Sequence, residues 1–272
     1  MNPTTTVTYS VVGLGRAGRS LIGALVDTHW DFSGGYGRDD DPNDAAAGVD
    51  AVFITVPEDA IAATARAVAP TSAVLIHLSG AKTLDVLAPH RNRASVHPLV
   101  SLPNPDVGAT RLRDGATFAV AGHRLATDLV GVLGGRAIEV EERHRSLYHA
   151  GAVIAANHLV VLCAQIERIA SHIGVPADLY WRLMRSTLSN VDASGAESAL
   201  TGPAARGDTV TIDDHLRALD DLGPDDVSLY RVLAAGAAEL ADKSIDFSVD
   251  NSSHSRVPTE TGKATDGRKR NK

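Results

Sequence analysis

The stretch VVGLGRAGRSL, Val11 to Leu21, constrains this chain more than any other part of it. Gly13, Gly15 and Gly18 form a GxGxxG pattern between an apolar run, Val7–Gly13, and a segment, Arg16–Thr28, with apolar residues at helical spacing. In such a turn the first glycine lets the chain reverse, the second lets a pyrophosphate approach the backbone, and the third lets helix and strand pack closely. The helix opening behind it offers unpaired N–H groups and a positive dipole end. With Leu14, Arg16 and Ala17 filling the pattern, the segment predicts a dinucleotide-binding turn.

The rest of the first half alternates short apolar runs with helical stretches. Strands are expected at Asp31–Gly37, Ala51–Val56, Ala73–Leu78, 93–97, 116–121 and 136–140, and helices at 58–69, 82–89 and 123–133. Strands separated by helices imply βαβ units, hence an α/β fold with a doubly wound parallel Rossmann sheet. Every strand's C-terminal end should then lie on one edge, where ligands bind. After Glu141 the pattern turns all-helical, with helices expected at 142–172, 176–189, 211–221 and 224–242. Thr211-Ile-Asp-Asp214 reads as a capping box for the third. The predicted organisation is a dinucleotide-binding domain at 1–141 and a helical substrate and dimerisation domain at 142–243. Residues 244–272, a polar tail with nothing to bury, are expected to be disordered.

Composition narrows the partners. A net charge of −7 argues against nucleic acid, although residues 250–272 carry six Lys or Arg against three Asp or Glu. No apolar run reaches the roughly 20 residues of a membrane span, and the start has no basic region before its apolar run. The single cysteine, Cys163, excludes an internal disulfide and reads as a buried structural thiol in a reducing compartment. The expectation is a cytoplasmic protein with a small-molecule substrate, away from membranes. The eleven histidines are scattered, so no metal site is expected.

Several residues fall where strands should end. Arg38 follows the second strand, at the position that chooses between cofactors, and its planar fork suits a 2′-phosphate. That favours NADP(H); Asp39, next to it, would serve NAD(H). Thr55, Val56 and Pro57 end the third strand beside the expected cofactor path. HLSGA brings His77, Ser79 and Gly80 to the end of the fourth, and VHPL brings His97 and Pro98 to the end of the fifth. Ser79 and His97 are the candidates to line a pocket there.

Taken together, VVGLGRAG, HLSGA, HPLVSLP, YHAGAVIAANHL and LTGPAARGD resemble an uncharacterised family of Rossmann-like oxidoreductases with a dedicated helical C-terminal domain. That family is similar in build to pyrroline-5-carboxylate reductase, ketopantoate reductase and the 6-phosphogluconate dehydrogenase group, whose C-terminal domain the second half would match. The resemblance, over about residues 8–242, implies an NADP(H)-dependent oxidoreductase that reduces a small keto or imino acid, and a homodimer built through the helical domain. In the ketopantoate and phosphogluconate enzymes a helix brings a Lys and, one turn later, an Asn to the substrate. Asn157 matches that Asn, but Val153 stands at the Lys position and cannot donate a proton. Tyr148 and His149 are the nearest polar replacements, with His149 the natural donor near neutral pH. LTGPAARGD is similar to the substrate-gripping turn of pyrroline-5-carboxylate reductases, which nominates Thr201, Arg206 and Asp208, with Arg206 for a carboxylate. Two other readings keep the fold: a deazaflavin-linked NADP oxidoreductase, and a non-catalytic dinucleotide sensor.

Overall fold

The structure, a computed structural model, describes residues 5–243. Its chain divides between Leu162 and Cys163 into two compact units, about twenty residues beyond the change of pattern at Glu141. The reason is local. Helix α5 (Arg145–Val153) and the π-helical turn Ile154–His158 belong with the sheet, because Arg145 and Tyr148 bond to its edge.

The first unit is a seven-stranded sheet in the order β2-β1-β3-β4-β5-β6-β7. The strands are β1 (Val7–Val12), β2 (Trp30–Tyr36), β3 (Ala51–Ile54), β4 (Val74–His77), β5 (Arg93–Pro98), β6 (Thr117–Gly122) and β7 (Arg136–Glu139). Helices α1 (Arg16–Leu25), α2 (Ile61–Ala67), α3 (Pro105–Arg113) and α4 (Leu125–Val132) accompany them. β3 and β4 are buried along their whole length, as continuous apolar runs in a parallel sheet should be. Two apolar clusters form the core, one around Tyr9, Phe53 and Phe118 and the other around Val52, Ile54 and Leu75.

Three expectations need correction. β1 to β5 run parallel, but β6 pairs antiparallel with β5 and β7 follows β6, so two of the seven strands end on the opposite edge. Apolar periodicity carries no information on strand direction. Helix α3 lies in a stretch where no element is expected. Asn104 caps it, its side chain accepting from the Val107 N–H at 2.9 Å, and Pro105 opens it. It packs on α1 so closely that Gly108 leaves no room for a Cβ against the Ser20 hydroxyl. The helix expected at 82–89 is only a short 3-10 turn, Leu84–Leu87, halted before Pro89.

The second unit contains the C-terminal part of α6 (Leu159–His172), then α7 (Asp178–Ser194), α8 (Ala196–Ala199), α9 (Pro203–Arg206), α10 (Thr209–Leu219) and α11 (Pro224–Leu240). Its apolar centre is small: Ala204, Ile212 and Ala234, with Leu216, Tyr230 and Ala237 against them. A half-buried polar clasp supplements it. Arg168 donates from Nε and Nη2 to the two carboxylate oxygens of Asp226, and Gln165 donates to the Asp226 carbonyl at 2.9 Å. The N-cap of α10 is Asp208, which accepts from the Thr211 N–H at 3.1 Å, so the cap stands three residues before the capping box read from the sequence. Cys163 is only partly buried. The tail expected at 244–272 lies outside the described residues.

Helical structure is continuous over Glu142–His172, and with a mean hydropathy of 1.6 in its most apolar stretch it is long and apolar enough to cross a membrane. This corrects the expectation that no segment qualifies. Its polar residues nevertheless bond within protein: Arg145 in the first unit, Gln165 and Arg168 in the second.

Candidate functional site

The turn between β1 and α1 is built by fit. Gly13 has φ +104°, a left-handed conformation that favours glycine, and a Cβ there would lie 2.8 Å from the Thr55 carbonyl carbon. Gly18 is pressed against the Gly13 carbonyl, and its Cβ would come within 2.6 Å of the Thr55 hydroxyl. Thr55 holds the turn in shape by donating its hydroxyl to the Gly13 carbonyl at 2.6 Å. Gly15 differs. It is exposed, and nothing lies within 4 Å of the position its Cβ would take. It is also the N-cap of α1, with no side-chain cap bond and no acidic residue in the first turn. The first N–H groups of α1 therefore have no capping side chain and lie beside the open space over Gly15, at a positive helix end. This is a cradle for an anionic group.

Beyond β2, Arg38 is exposed, as are Asp39 and Asp40. The Asp40 carboxylate accepts from the Gly37 N–H at 2.6 Å and is committed to the turn, which leaves Arg38 and Asp39 facing solvent. Val56 and Pro57 follow β3 on the same edge as the glycine turn.

Farther along that edge, the ends of β4 and β5 and the first turns of α5 bring six polar side chains together. Ser79 is the hub. Its hydroxyl donates to Glu58 and accepts from the N–H groups of Ala81 and Lys82, while its carbonyl accepts from Arg145 Nη2 at 3.0 Å. The Ser79 N–H donates to His77 Nδ1 at 3.2 Å. A hydroxyl so engaged shapes a loop, and that is how the structure uses Ser79. His97 Nδ1 and the Tyr148 hydroxyl are hydrogen-bonded at 2.8 Å, with the rings edge to face. His149 lies against His97, ring centroids 5.7 Å apart. Sequence reasoning nominated His97, Ser79, Tyr148 and His149, and the structure brings these four together.

Glu58 and Arg145 were missed. Arg145 is 1% exposed, yet it forms no ion pair among the described residues and its Nε has no hydrogen-bond partner. Only the unusual cluster of polar residues around strand ends could have signalled it. Its charge matters to its neighbours. Burial, reinforced by Arg145, lowers His77 to about 4. Burial, then His149 and Arg145, lowers His97 to about 4, with Glu58 opposing. Both imidazoles are thus neutral near pH 7. Burial raises the Tyr148 phenol, with Arg145 opposing, so it is fully protonated there.

Asn157 lies in the exposed π-helical turn Ile154–His158, with Val153 just before it. π-Turns interrupt helices often at functional positions. Thr201, Arg206 and Asp208 all lie in the second unit, with the Arg206 charge beside Asp208. Arg206 is exposed at the end of α9, and Asp208 is held as the cap of α10. Among the described residues no group of three His, Cys, Asp or Glu side chains could hold a metal.

Comparison with known proteins agrees with the fold. A family model described as a domain of unknown function, DUF2520, matches residues 117–237, from β6 into α11. No curated protein matches. Among solved structures, protein TM1727 from Thermotoga maritima is similar at 23% identity and TM-score 0.67, over 87% of this chain and 98% of that one. BF3122 from Bacteroides fragilis, an NADP oxidoreductase candidate, is similar at 19% identity and TM-score 0.72, over 86% and 98%. Pyrroline carboxylate reductase from Plasmodium falciparum, solved with NADP bound, is similar at 12% identity and TM-score 0.57, over 88% and 97%. The fold they share with this chain is a Rossmann-like sheet domain followed by a helical C-terminal part.

Proposed function

We propose that this chain is an NADP(H)-dependent reductase of a small keto or imino acid, with Tyr148 as the proton donor. One observation carries the reading. The open anion cradle over Gly15 and the Tyr148–His97 pair stand on the same edge of the sheet, at the ends of parallel strands. Their surroundings fit the cofactor. Gly13, Leu14, Gly15, Arg16, Ala17 and Gly18 would hold the pyrophosphate, Arg38 a 2′-phosphate, and Thr55, Val56 and Pro57 the chain towards the nicotinamide. The NADP-linked names among the structural neighbours support the same assignment.

A bound reduced nicotinamide supplies a hydride to a carbonyl or iminium carbon. The protein's share is to orient the substrate, exclude water and deliver one proton. Tyr148 is neutral, held at a fixed angle by His97, and able to donate its hydroxyl proton to the substrate heteroatom as charge develops. This moves the donor role from His149 to Tyr148, with His149 behind. In this reading Asn157 orients the substrate, as the matching Asn does in the related enzymes. Within the second unit, Arg206 and Thr201 are the residues suited to a carboxylate. The protein is a cytoplasmic homodimer without nucleic-acid or membrane partners, a reading supported by the net negative charge and by the exposed apolar face of α7.

The test is NADPH oxidation with 2-keto acids, cyclic imines and a deazaflavin, using the full chain and its Tyr148→Phe variant. The variant should bind NADPH normally and lose about a hundredfold or more in turnover. Oxidation with deazaflavin alone would favour the deazaflavin-linked reading. Tight NADPH binding without turnover of any compound would favour a sensor. Arg38→Ala should weaken NADPH by about 1.5–3 kcal/mol and NADH hardly at all.

A further inference from the structure

Gly80 has a value of φ that any residue could adopt, yet a side chain there would meet two imidazoles. A Cβ would lie 2.6 Å from His149 Nδ1, 2.9 Å from His97 Nε2 and 2.9 Å from His97 Cε1. Such approaches are closer than real Cβ contacts, and the neighbours are rings held in place. His97 is anchored by Tyr148 on its other side, and both it and His149 pack edge to face. His149 Nδ1 is buried and has no hydrogen-bond partner. A buried polar nitrogen of that kind costs stability unless it is used. It and His97 Nε2 both border the space that the missing Gly80 side chain leaves free.

We infer that Gly80 is a positioning residue whose missing side chain lets His149 resupply His97 with a proton, making a path His149–His97–Tyr148 to the substrate. The inference rests on the reading of Tyr148 as donor. In the resting arrangement the His97 Nδ1–H donates to the Tyr148 oxygen, and His97 Nε2 carries its lone pair towards His149 Nδ1–H. On reduction the hydride forms the new C–H bond and the π pair becomes a lone pair on the substrate heteroatom, which takes the phenolic proton. The phenolate oxygen takes the Nδ1 proton of His97, and His97 Nε2 takes the Nδ1 proton of His149. His149 then takes a proton from solvent at Nε2. The substrate is reduced, the dinucleotide is oxidised, and one solvent proton is consumed. The charged and titratable groups facing this path are Glu58 after β3, His77 on β4, and Arg145 at the start of α5. Burial and Arg145 keep His97 neutral, the form in which a single ring can accept at one nitrogen and donate at the other.

Two measurements test the path. In the cofactor-free protein, imidazole 15N NMR should place the His97 proton on Nδ1. His149→Gln should move the His97 titration upward, because the neighbouring imidazole opposes its protonation. Gly80→Ala should move it in the same direction, and adding His149→Gln to Gly80→Ala should change nothing further. In turnover, Gly80→Ala and His149→Gln should each lower kcat about tenfold or more with NADPH affinity unchanged. Free imidazole should restore activity to His149→Ala and leave wild type unaffected. A His97 titration indifferent to both substitutions, or wild-type kcat in His149→Gln, would overturn the path. If Gly80→Ala does not fold, His149→Gln and the imidazole rescue decide alone. An inactive wild type with coupled titrations would count against the reductase reading and for the histidine pair.

Discussion

The two units keep their residues dry by different means. In the first, a seven-stranded sheet with helices against it buries Tyr9, Phe53, Phe118 and many aliphatic side chains to a few per cent exposure or less. In the second, α7 runs for 17 residues with no buried side chain, exposing Leu179 by 61% and Leu183 by 63%. A helix of that length gains little from propensity alone and needs a packed face to persist. The helical unit's one apolar cluster holds three buried residues, far fewer than either cluster of the sheet unit. The lesson is one of division of labour. The sheet unit carries the polar cluster on its edge, and the helical unit carries exposed apolar surface.

The largest effect should come from the glycine turn, and it separates ligand binding from folding. Gly15→Asp should leave melting unchanged, since its Cβ meets open space, and should abolish NADPH binding by setting a carboxylate against the pyrophosphate. Gly18→Val should instead lower stability by about 3 kcal/mol or more, since its Cβ meets the Gly13 carbonyl and Thr55. Calorimetric titration with NADPH beside thermal melting checks both. Unchanged NADPH affinity in a folded Gly15→Asp protein would remove the cradle from the argument.

The second prediction addresses the helical unit. Leu179→Ser with Leu183→Ser should convert a dimer into a monomer in light scattering at micromolar concentration, with turnover falling if the sites depend on association. A wild-type monomer at that concentration would break the comparison, because α7 would then be stable with its apolar face in water.

Much of the sheet unit was legible in the sequence because apolar runs bounded by Gly, Pro and Asp report burial directly. β3 and β4 appear as AVFI and VLIH, and the glycine turn stands in its expected context. The reversal of β6 was not legible, since apolar periodicity reports burial and not strand direction. α3 itself was hidden by weak amphipathicity in PDVGATRLR, although Asn104-Pro105 carried a start signal. Of the candidate site, His97, Ser79, Tyr148 and His149 could be nominated from strand ends and one helix. Arg145 could not, because a charged residue opening a helix reads as solvent-facing until the fold closes over it.

The buried histidines of the sheet unit make its stability depend on pH. His77 and His97 are lowered to about 4 in the folded chain and titrate near 6.5 when unfolded. Between those values the unfolded state binds more protons than the folded one, so stability rises with pH there. It is complete above about pH 6.5 and is lost as pH falls towards 4. Each histidine contributes about 3 kcal/mol over that window by its shift alone. Melting followed between pH 8 and 4 should show the sheet unit losing stability below pH 6.5, and His77→Asn should flatten that limb. An unchanged slope in His77→Asn would mean that its burial is not what couples stability to pH.

The smallest effect concerns Asp208, which the sequence nominates for substrate and the structure uses as a helix cap. Its carboxylate accepts from the Thr211 N–H at 3.1 Å and from the Thr211 hydroxyl at 2.8 Å. Those bonds, Arg206 and His215 hold it below the usual carboxylate range, so it is charged throughout the working pH range. Asp208→Ala should cost about 1 kcal/mol by leaving the first turn of α10 uncapped. Asp208→Asn separates the two roles, because Asn caps about as well as Asp but carries no charge. If the carboxylate only caps, Asp208→Asn should match wild type in melting and in KM for substrate. If it also contacts substrate, melting should stay put while KM changes several-fold. A drop in melting temperature for Asp208→Asn as large as for Asp208→Ala would contradict the capping role, because it would show that the charge, not the hydrogen bond to Thr211, holds the start of α10.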